Sequence, residues 1–326
     1  MAPDSECWMI TGAAGFVGST VVRTLLEETK VAKVLAVDRL STGHRAYLPS
    51  DPRVHLVETD IRDAAAMNAL VAEHAPAVVI HLAAIHFIPY CNAHPAETFD
   101  VNVTGTQVVL EACRTKPPRT VVVASSAAVY PIFDAANAED APAPGPTDVY
   151  GLTKLTNEHQ LALYAQQTPS HCSAARLFNV YGPRETNPHI LPEILSQVQK
   201  GQHTLKLGNI APKRDYIYVR DVAHALVALG DRSTHSFRAY NVGTGHEYAV
   251  DDLARRLAAV GGLTLDIAID PAKVRASDRL HLLCDNTRIA REIGWTPEYD
   301  MDRGMRELWD WASTHRAEVQ FPFTSN

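Results

Sequence analysis

Long apolar runs, paired cysteines and an excess of positive charge are all missing from this chain of 326 residues, and each absence removes a class of function. The longest apolar stretch, Ala75 to Ile85, is interrupted by Pro76 and His81. It falls well short of the roughly 20 residues that span a bilayer, so no membrane segment is expected. The five cysteines, Cys7, Cys91, Cys113, Cys172 and Cys284, are odd in number and show no C-x-x-C spacing. They suit reduced thiols better than a disulfide frame or a zinc site, and no metal is expected. Against 37 Asp+Glu stand only 30 Lys+Arg, for a formal charge of −7. A polyanion finds no surplus of cations here, which disfavours nucleic acid as a partner. Met1 to Glu6 carry no basic residue, and the apolar residues after them run straight into a glycine-rich turn. The start therefore reads as a first strand and not a signal peptide, with a cytoplasmic location expected.

What the chain does have is an ordinary globular composition, 46% apolar and 21% charged, and a strict alternation of two periodicities. Short β-branched runs stand at Cys7-Ile10, Lys33-Val37, Val54-Val57, Ala77-Leu82 and Arg119-Ala124. Between them apolar residues recur at helical spacing, as in Val17, Val21 and Leu25, or Met67, Leu70 and Val71. Continuous runs such as Ala77-Val78-Val79-Ile80 suit strands covered on both faces. The pattern predicts an α/β fold with a Rossmann-type doubly wound parallel sheet over residues 1–180. After the proline-rich loop Pro131-Pro146 a helix is expected over Gly151-Gln167 and a strand at Ala174-Phe178. Beyond Tyr181 proline and glycine thicken, a helix at Leu191-Lys200 is isolated, and Leu205-Leu207 and Leu265-Ile269 read as short strands. Residues 181–326 are expected to form a smaller, discontinuous α/β substrate domain, with 215–246 returning to the first sheet through a strand at Ala239-Val242.

Thr11-Gly12-Ala13-Ala14-Gly15-Phe16-Val17-Gly18 follows the first strand directly and opens the first helix. Glycine there permits a tight turn and close backbone approach, and the helix N-terminus favours an anion such as a pyrophosphate. The spacing is G-x-x-G-x-x-G and not G-x-G-x-x-G. Asp38 closes the second strand 20 residues after Gly18, where a carboxylate accepts hydrogen bonds from ribose hydroxyls and repels a 2′-phosphate. That points to NAD, although Arg39 beside it is either a neutraliser of such a phosphate or a solvated surface charge. Tyr150 and Lys154 stand four residues apart, on one face of the expected helix. An ammonium near a phenol stabilises phenolate and lowers its pKa, as a general acid/base requires. Ser125-Ser126 ends the fifth strand, where hydroxyls either face the ligand crevice or cap the strand end.

With these residues in place the chain resembles the extended short-chain dehydrogenases/reductases, within the NAD-dependent nucleotide-sugar epimerase/dehydratase group. The resemblance is carried by Thr11-Gly18, Asp38 to Gly43, Asp60-Ile61, His81-Leu82-Ala83-Ala84, Asn102 to Thr106, Ser125-Ser126 with Val129-Tyr130, Tyr150 with Lys154, Arg176 to Arg184, Arg214 to Val219 with Asp221-Val222-Ala223, and Tyr240 to Gly245. It implies Ser126, Tyr150 and Lys154 as the catalytic set. For NAD it implies Gly12, Gly15, Phe16, Val17 and Gly18 at the pyrophosphate, then Asp38, Arg39, Ser41, Thr42 and Gly43, with Asp60 and Ile61 flanking the adenine. Leu82, Ala83, Ala84, Asn102, Ser125, Tyr150, Lys154 and Phe178 would complete that site. The sugar nucleotide would be met by His86, Phe87, Ser126 and Asn179, with Arg214 and Arg275 on the diphosphate; an internal Arg214-Asp215 ion pair is the rival use of Arg214.

Members of the group begin by oxidising a sugar carbinol, and dehydratases place an Asp-Glu pair directly after the catalytic serine or threonine. Here those positions are Ala127 and Ala128, which removes the proton-transfer groups of dehydration and favours a 4-epimerase working through a transient 4-keto sugar. Decarboxylation, dehydration, reduction and a non-catalytic sensor remain as alternatives, dehydration ranked low and decarboxylation needing a cation for a sugar carboxylate that only Arg184 obviously offers. The base stays open between uracil first and guanine second, the latter because of Gly208-Asn209 ahead of Lys213-Arg214-Asp215. A homodimer is implied as well, built on helices at Ala93-Thr115 and Gly151-Gln167.

Overall fold

The computed structural model describes residues 6–185, 187–274 and 279–315. In chain order the elements are β1 (Cys7–Thr11), α1 (Phe16–Glu28), β2 (Lys33–Asp38), β3 (Val54–Glu58), α2 (Ala64–His74), β4 (Val78–His81), α3 (Ile88–Ala93), α4 (Pro95–Phe99), α5 (Gly105–Thr115), β5 (Thr120–Ser126), α6 (Val149–Gln167), β6 (His171–Leu177) and β7 (Asn179–Tyr181). They continue with α7 (Ile190–Gln199), β8 (Thr204–Leu207), β9 (Lys213–Tyr218), α8 (Val219–Arg232), β10 (Phe237–Val242), β11 (Glu247–Ala249), α9 (Val250–Val260), β12 (Asp266–Ile269), α10 (Thr287–Ile293) and α11 (Met301–Thr314).

Seven strands form one sheet in the order β10-β6-β5-β4-β1-β2-β3, every neighbouring pair parallel. The order reverses at β1, so the chain leaves β1 toward β2 on one side and joins β4 on the other. In doubly wound sheets that switch point is where ligands sit, outside the carboxyl ends of the strands. Both faces are covered, as the uninterrupted apolar strands require. Val21, Val22 and Leu25 of α1 and Val222, Leu226 and Leu229 of α8 bury one face, and Met67, Val71, Val109, Leu110, Leu161 and Tyr164 of α2, α5 and α6 bury the other. The smaller part contains a three-stranded sheet, β11-β9-β7, and a parallel pair, β12-β8. Its core gathers Leu191, Ile194, Leu205, Tyr218, Leu253, Leu257, Met305 and Leu308. The strand expected at Ala239-Val242 runs from Phe237 to Val242 and pairs with β6 at the edge of the large sheet.

Two helices differ from the sequence reading, and the strand expected at Ala174-Phe178 runs from His171 to Leu177. The single helix expected over Ala93-Thr115 is three pieces: α3 stops at Ala93, His94 takes φ −126° and ψ 60°, α4 starts on Pro95, and a wider π-type turn over Asp100–Thr104 leads into α5. The residue before a proline is pushed out of the helical region, which breaks the run at His94. Helix α6 starts at Val149, two residues earlier than expected, because Asp148 caps it by accepting the Gly151 N–H at 2.7 Å.

Candidate active site

A cleft of about 1370 Å³ runs along the carboxyl ends of β1, β2, β4 and β5 and then between the two parts of the chain. Its floor begins at the glycine turn. Gly12 has φ +69°, and a Cβ there would stand 2.9 Å from the Ala83 nitrogen; a Cβ on Gly18 would stand 2.1 Å from the Gly12 carbonyl oxygen. Neither position has room for a side chain, so strand and helix close tightly and bare backbone faces the cleft. Helix α1 starts on Gly15 with no side-chain cap, which leaves its first amides for a ligand anion. Asp38 is already oriented: one carboxylate oxygen accepts the Ala14 N–H at 2.9 Å and the other the Leu40 N–H at 2.8 Å. Arg39 is tied down, its Nε donating to the Ser41 hydroxyl at 2.9 Å and its Nη1 to Asp60 at 3.3 Å. Asp60 is held far below the usual carboxylate range by hydrogen bonds from Arg62, with Arg39 adding to them. Arg39 therefore spends its charge on Asp60 and does not stand ready for a 2′-phosphate. This cradle of bare glycines, uncapped amides and an aimed carboxylate fits NAD.

The strand ends are locked from behind. His81 bridges Thr11 (2.7 Å) and Thr106 (3.0 Å), and burial followed by the Lys154 charge lowers its pKa to about 3, so it is a neutral imidazole at ordinary pH. Thr11 Oγ1 accepts the N–H groups of Leu82 and Ala83 at 3.2 and 3.3 Å, fixing the turn that follows β4. Asn102 lies behind the cleft wall and not on it: its amide donates to the Ile85 carbonyl (2.9 Å) and the Thr153 hydroxyl (3.1 Å) and accepts the Ile85 N–H (2.8 Å). It is fully buried and shapes the loop in front of it.

Ser126, Tyr150 and Lys154 all face the same cleft as the glycine turn. Tyr150 and Lys154 lie on successive turns of α6, and the Lys154 ammonium stands 5.8 Å from the centre of the Tyr150 ring. That ammonium donates to the Ala124 carbonyl at 2.8 Å, and burial lowers its pKa to about 8. The expected depression of the phenol pKa is not what the geometry produces. Burial drives the Tyr150 phenol above its ordinary value, and the hydrogen bond with the Ser126 hydroxyl only partly opposes this. Desolvation wins because the lysine is turned toward the carbonyl of β5.

Ser125 differs from its neighbour. It reaches the cleft wall, but its hydroxyl donates to Glu158 at 2.5 Å. Glu158 in turn receives both arms of Arg176, at 2.9 and 2.7 Å, and Arg176 donates to the Tyr130 hydroxyl at 2.9 Å. The Tyr130 hydroxyl donates to the Asn241 amide oxygen on β10 at 2.7 Å. This buried chain ties α6, which carries Tyr150 and Lys154, to β5, β6 and β10.

Of the residues expected on the sugar nucleotide, His86, Phe87, Asn179 and Arg214 line the cleft, as do Phe178, expected at the NAD site, and Ala128. Arg275 lies outside the described residues. Sequence reasoning passed over several neighbours. Glu185 is buried, hydrogen-bonds His189, and has its pKa raised by burial against the pull of that imidazole. The Asn187 amide pairs with the His86 ring; the residue as a whole is exposed, yet desolvation of the ring in the cleft, then the His189 charge, lower its pKa to about 4. Arg279 and Lys273 also line the wall. The Arg184-Glu185-Thr186 stretch was the one signal available for Glu185; Arg279 had none. Cys91 is a buried filler: its thiol is pushed up to about 11 by burial and donates weakly to the Ile85 carbonyl. Among the described residues all five cysteines are free, no cluster of metal-ligating side chains occurs, and no helix is long and apolar enough to cross a membrane.

A parallel sheet with its cleft at the switch point, a glycine cradle and a Ser-Tyr-Lys set define a dinucleotide-dependent enzyme of the short-chain dehydrogenase/reductase type. More narrowly, the chain belongs to the NAD dependent epimerase/dehydratase family, whose pattern matches residues 8–243. It is 31% identical over 323 residues to the UDP-glucose 4-epimerase of Corynebacterium glutamicum, covering 94% of this chain and 95% of that protein. With the UDP-glucose 4-epimerase of Mycolicibacterium smegmatis it shares 33% over 308 residues, 91% of this chain and 95% of the other. Among solved structures, the UDP-glucose 4-epimerase of Thermus thermophilus in complex with NAD superimposes with a TM-score of 0.84 at 30% identity, covering 95% of this chain and 99% of that one.

Proposed function

We propose that this protein is an NAD-dependent nucleotide-sugar 4-epimerase in which Ser126, Tyr150 and Lys154 handle the protons. The observation that carries the reading is one cleft holding this set beside the NAD cradle, with Ala127 and Ala128 where elimination would need an acid and a base. NAD, when bound, accepts and returns the hydrogen of the sugar C4. The chain's own part is at the hydroxyl of that carbon. Ser126 holds it by hydrogen bonding, Tyr150 Oη takes its proton and later gives it back, and Lys154 supplies positive charge close to the ring. Taking that proton requires the phenolate, which burial disfavours and the Lys154 charge must support; the phenol so formed then returns the proton to the C4 alkoxide of the re-reduced sugar. No group at Ala127-Ala128 can divert the 4-keto sugar into dehydration. UDP sugars are the first choice, since the relatives are UDP-glucose 4-epimerases; GDP sugars are the second.

A homodimer is the proposed assembly. Leu152 and Leu163 of α6 are 46% and 55% exposed, and eleven residues apart they share one helix face. Incubation with NAD and UDP- or GDP-hexoses or hexuronates tests the function: the expected product is the C4 epimer without net NADH. Release of a ketosugar or a pentose in its place sinks the reading.

A further inference from the structure

On the cleft wall Arg279 is a charged group whose hydrogen bonding is incomplete among the described residues. Its Nη2 donates to the carbonyl of Tyr130 at 3.0 Å. Tyr130 closes the short helical turn Ala127–Val129, which is itself capped by Ser126, so the guanidinium is anchored to the segment that starts at the candidate catalytic serine. Ile132, Asp148 and Leu282 line the same wall. The other terminal nitrogen, Nη1, is buried and has no hydrogen-bond partner among the described residues. Asp148, the acidic residue whose field reaches Arg279, is committed to capping α6 through the Gly151 N–H at 2.7 Å. Burial, and then the nearby Arg214 guanidinium, push the Arg279 pKa below its ordinary value. A cation so placed is destabilised until an anion reaches it.

The resemblance puts the diphosphate of a nucleotide sugar at Arg214 and Arg275. Arg279 belongs to the Ser126-Tyr130 end, where the sugar ring must lie for its C4 hydroxyl to reach Tyr150. A neutral hydroxymethyl group there would leave the guanidinium charge uncompensated. A carboxylate offers two coplanar oxygens, the shape that an arginine fork pairs with best. We propose that Arg279 is a specificity-determining residue that selects nucleotide sugars whose hexose carries a carboxylate, a hexuronic acid, over neutral hexoses. The proposal rests on the nucleotide-sugar reading and adds the class of sugar.

The test is equilibrium binding to the NAD-loaded protein, independent of turnover. UDP and GDP are titrated first, and then the hexose and hexuronate derivatives of whichever nucleotide binds. The wild-type protein is expected to bind the hexuronate about tenfold more tightly than the hexose, the scale of one charge-assisted pair. Arg279→Met should abolish that preference while changing the affinity for the free nucleoside diphosphate less than about twofold, and Arg279→Lys should keep part of it. Equal binding of hexose and hexuronate by the wild type, or a preference for the hexose, overturns the proposal without needing any variant. It is also overturned if Arg279→Met weakens the free diphosphate as much as the hexuronate, which would place this arginine on the phosphates. Failure of both nucleotides to bind is a separate result that removes the nucleotide-sugar reading itself.

Discussion

The two ends of the cleft are built on opposite plans. At the NAD end polar groups are paired inside the protein before any ligand arrives: Asp38 with two backbone amides, Arg39 with Asp60 and Ser41, His81 with two threonines. At the other end His86 reaches Asn187 of a second loop and Glu185 meets His189 within that loop, while Arg279 is left partly unmet among the described residues. Preorganisation at one end and pending charge at the other suit a cofactor that stays and a substrate that comes and goes. The difference teaches where affinity and where selectivity are stored.

The contrast can be broken most sharply at its junction, where Tyr150 stands. Tyr150→Phe should lower kcat by a factor of about 10² to 10⁴, the range for losing a general acid/base, with NAD affinity by fluorescence titration nearly unchanged. Normal turnover in that variant would remove Tyr150 from the chemistry. The next largest effect concerns the buried scaffold behind the NAD end. Glu158→Gln leaves Arg176 charged and unpaired in the core, and urea unfolding should show a loss of about 3–5 kcal/mol. A loss near zero would mean that the Glu158-Arg176 pair does not hold α6 against the sheet.

Selectivity at the NAD end comes next in size. Asp38→Ala removes the carboxylate that repels a 2′-phosphate, and the ratio of NAD to NADP affinity should fall by about tenfold; an unchanged ratio would show that the oriented carboxylate is not the discriminator. The smallest effect separates the two ends by pH. His86, at the sugar end, has a folded pKa of about 4 against an unfolded value near 6.5. Between those values the unfolded chain binds the proton and the native state does not, so the stability tied to neutral His86 is present above about pH 6.5 and lost as the pH falls toward 4. His86→Gln should therefore lose less stability than wild type over that window, by a margin that solvent screening of this exposed residue keeps small, and equal losses would show that the ring is not held neutral in the fold.

Features that depend on near neighbours in the chain were legible without coordinates. The glycine turn, Asp38 at the end of its strand and the four-residue spacing of Tyr150 and Lys154 follow from local backbone rules. What was not legible depends on partners brought from far along the chain. Ser125 and Ser126 are adjacent and chemically identical, yet Ser125 gives its hydroxyl to Glu158, 33 residues away. Asn102, expected on NAD, serves Ile85 and Thr153. The break at His94 carried its cue in Pro95, while the single helix over Ala93-Thr115 rested on the resemblance.

Apolar periodicity and glycine placement by themselves determined the doubly wound sheet, its cofactor cradle and the helix that carries a phenol and an ammonium. These are properties of backbone sterics and of burying one face or two, and they act over a few residues at a time. Tertiary structure alone decided that Ser125 gives its hydroxyl to Glu158 while Ser126 caps the turn after β5, that burial raises the Tyr150 phenol, and that Arg279 is anchored on the Tyr130 carbonyl. Hydrogen-bond pairing and desolvation depend on distances through space, and those exist only once the chain has folded.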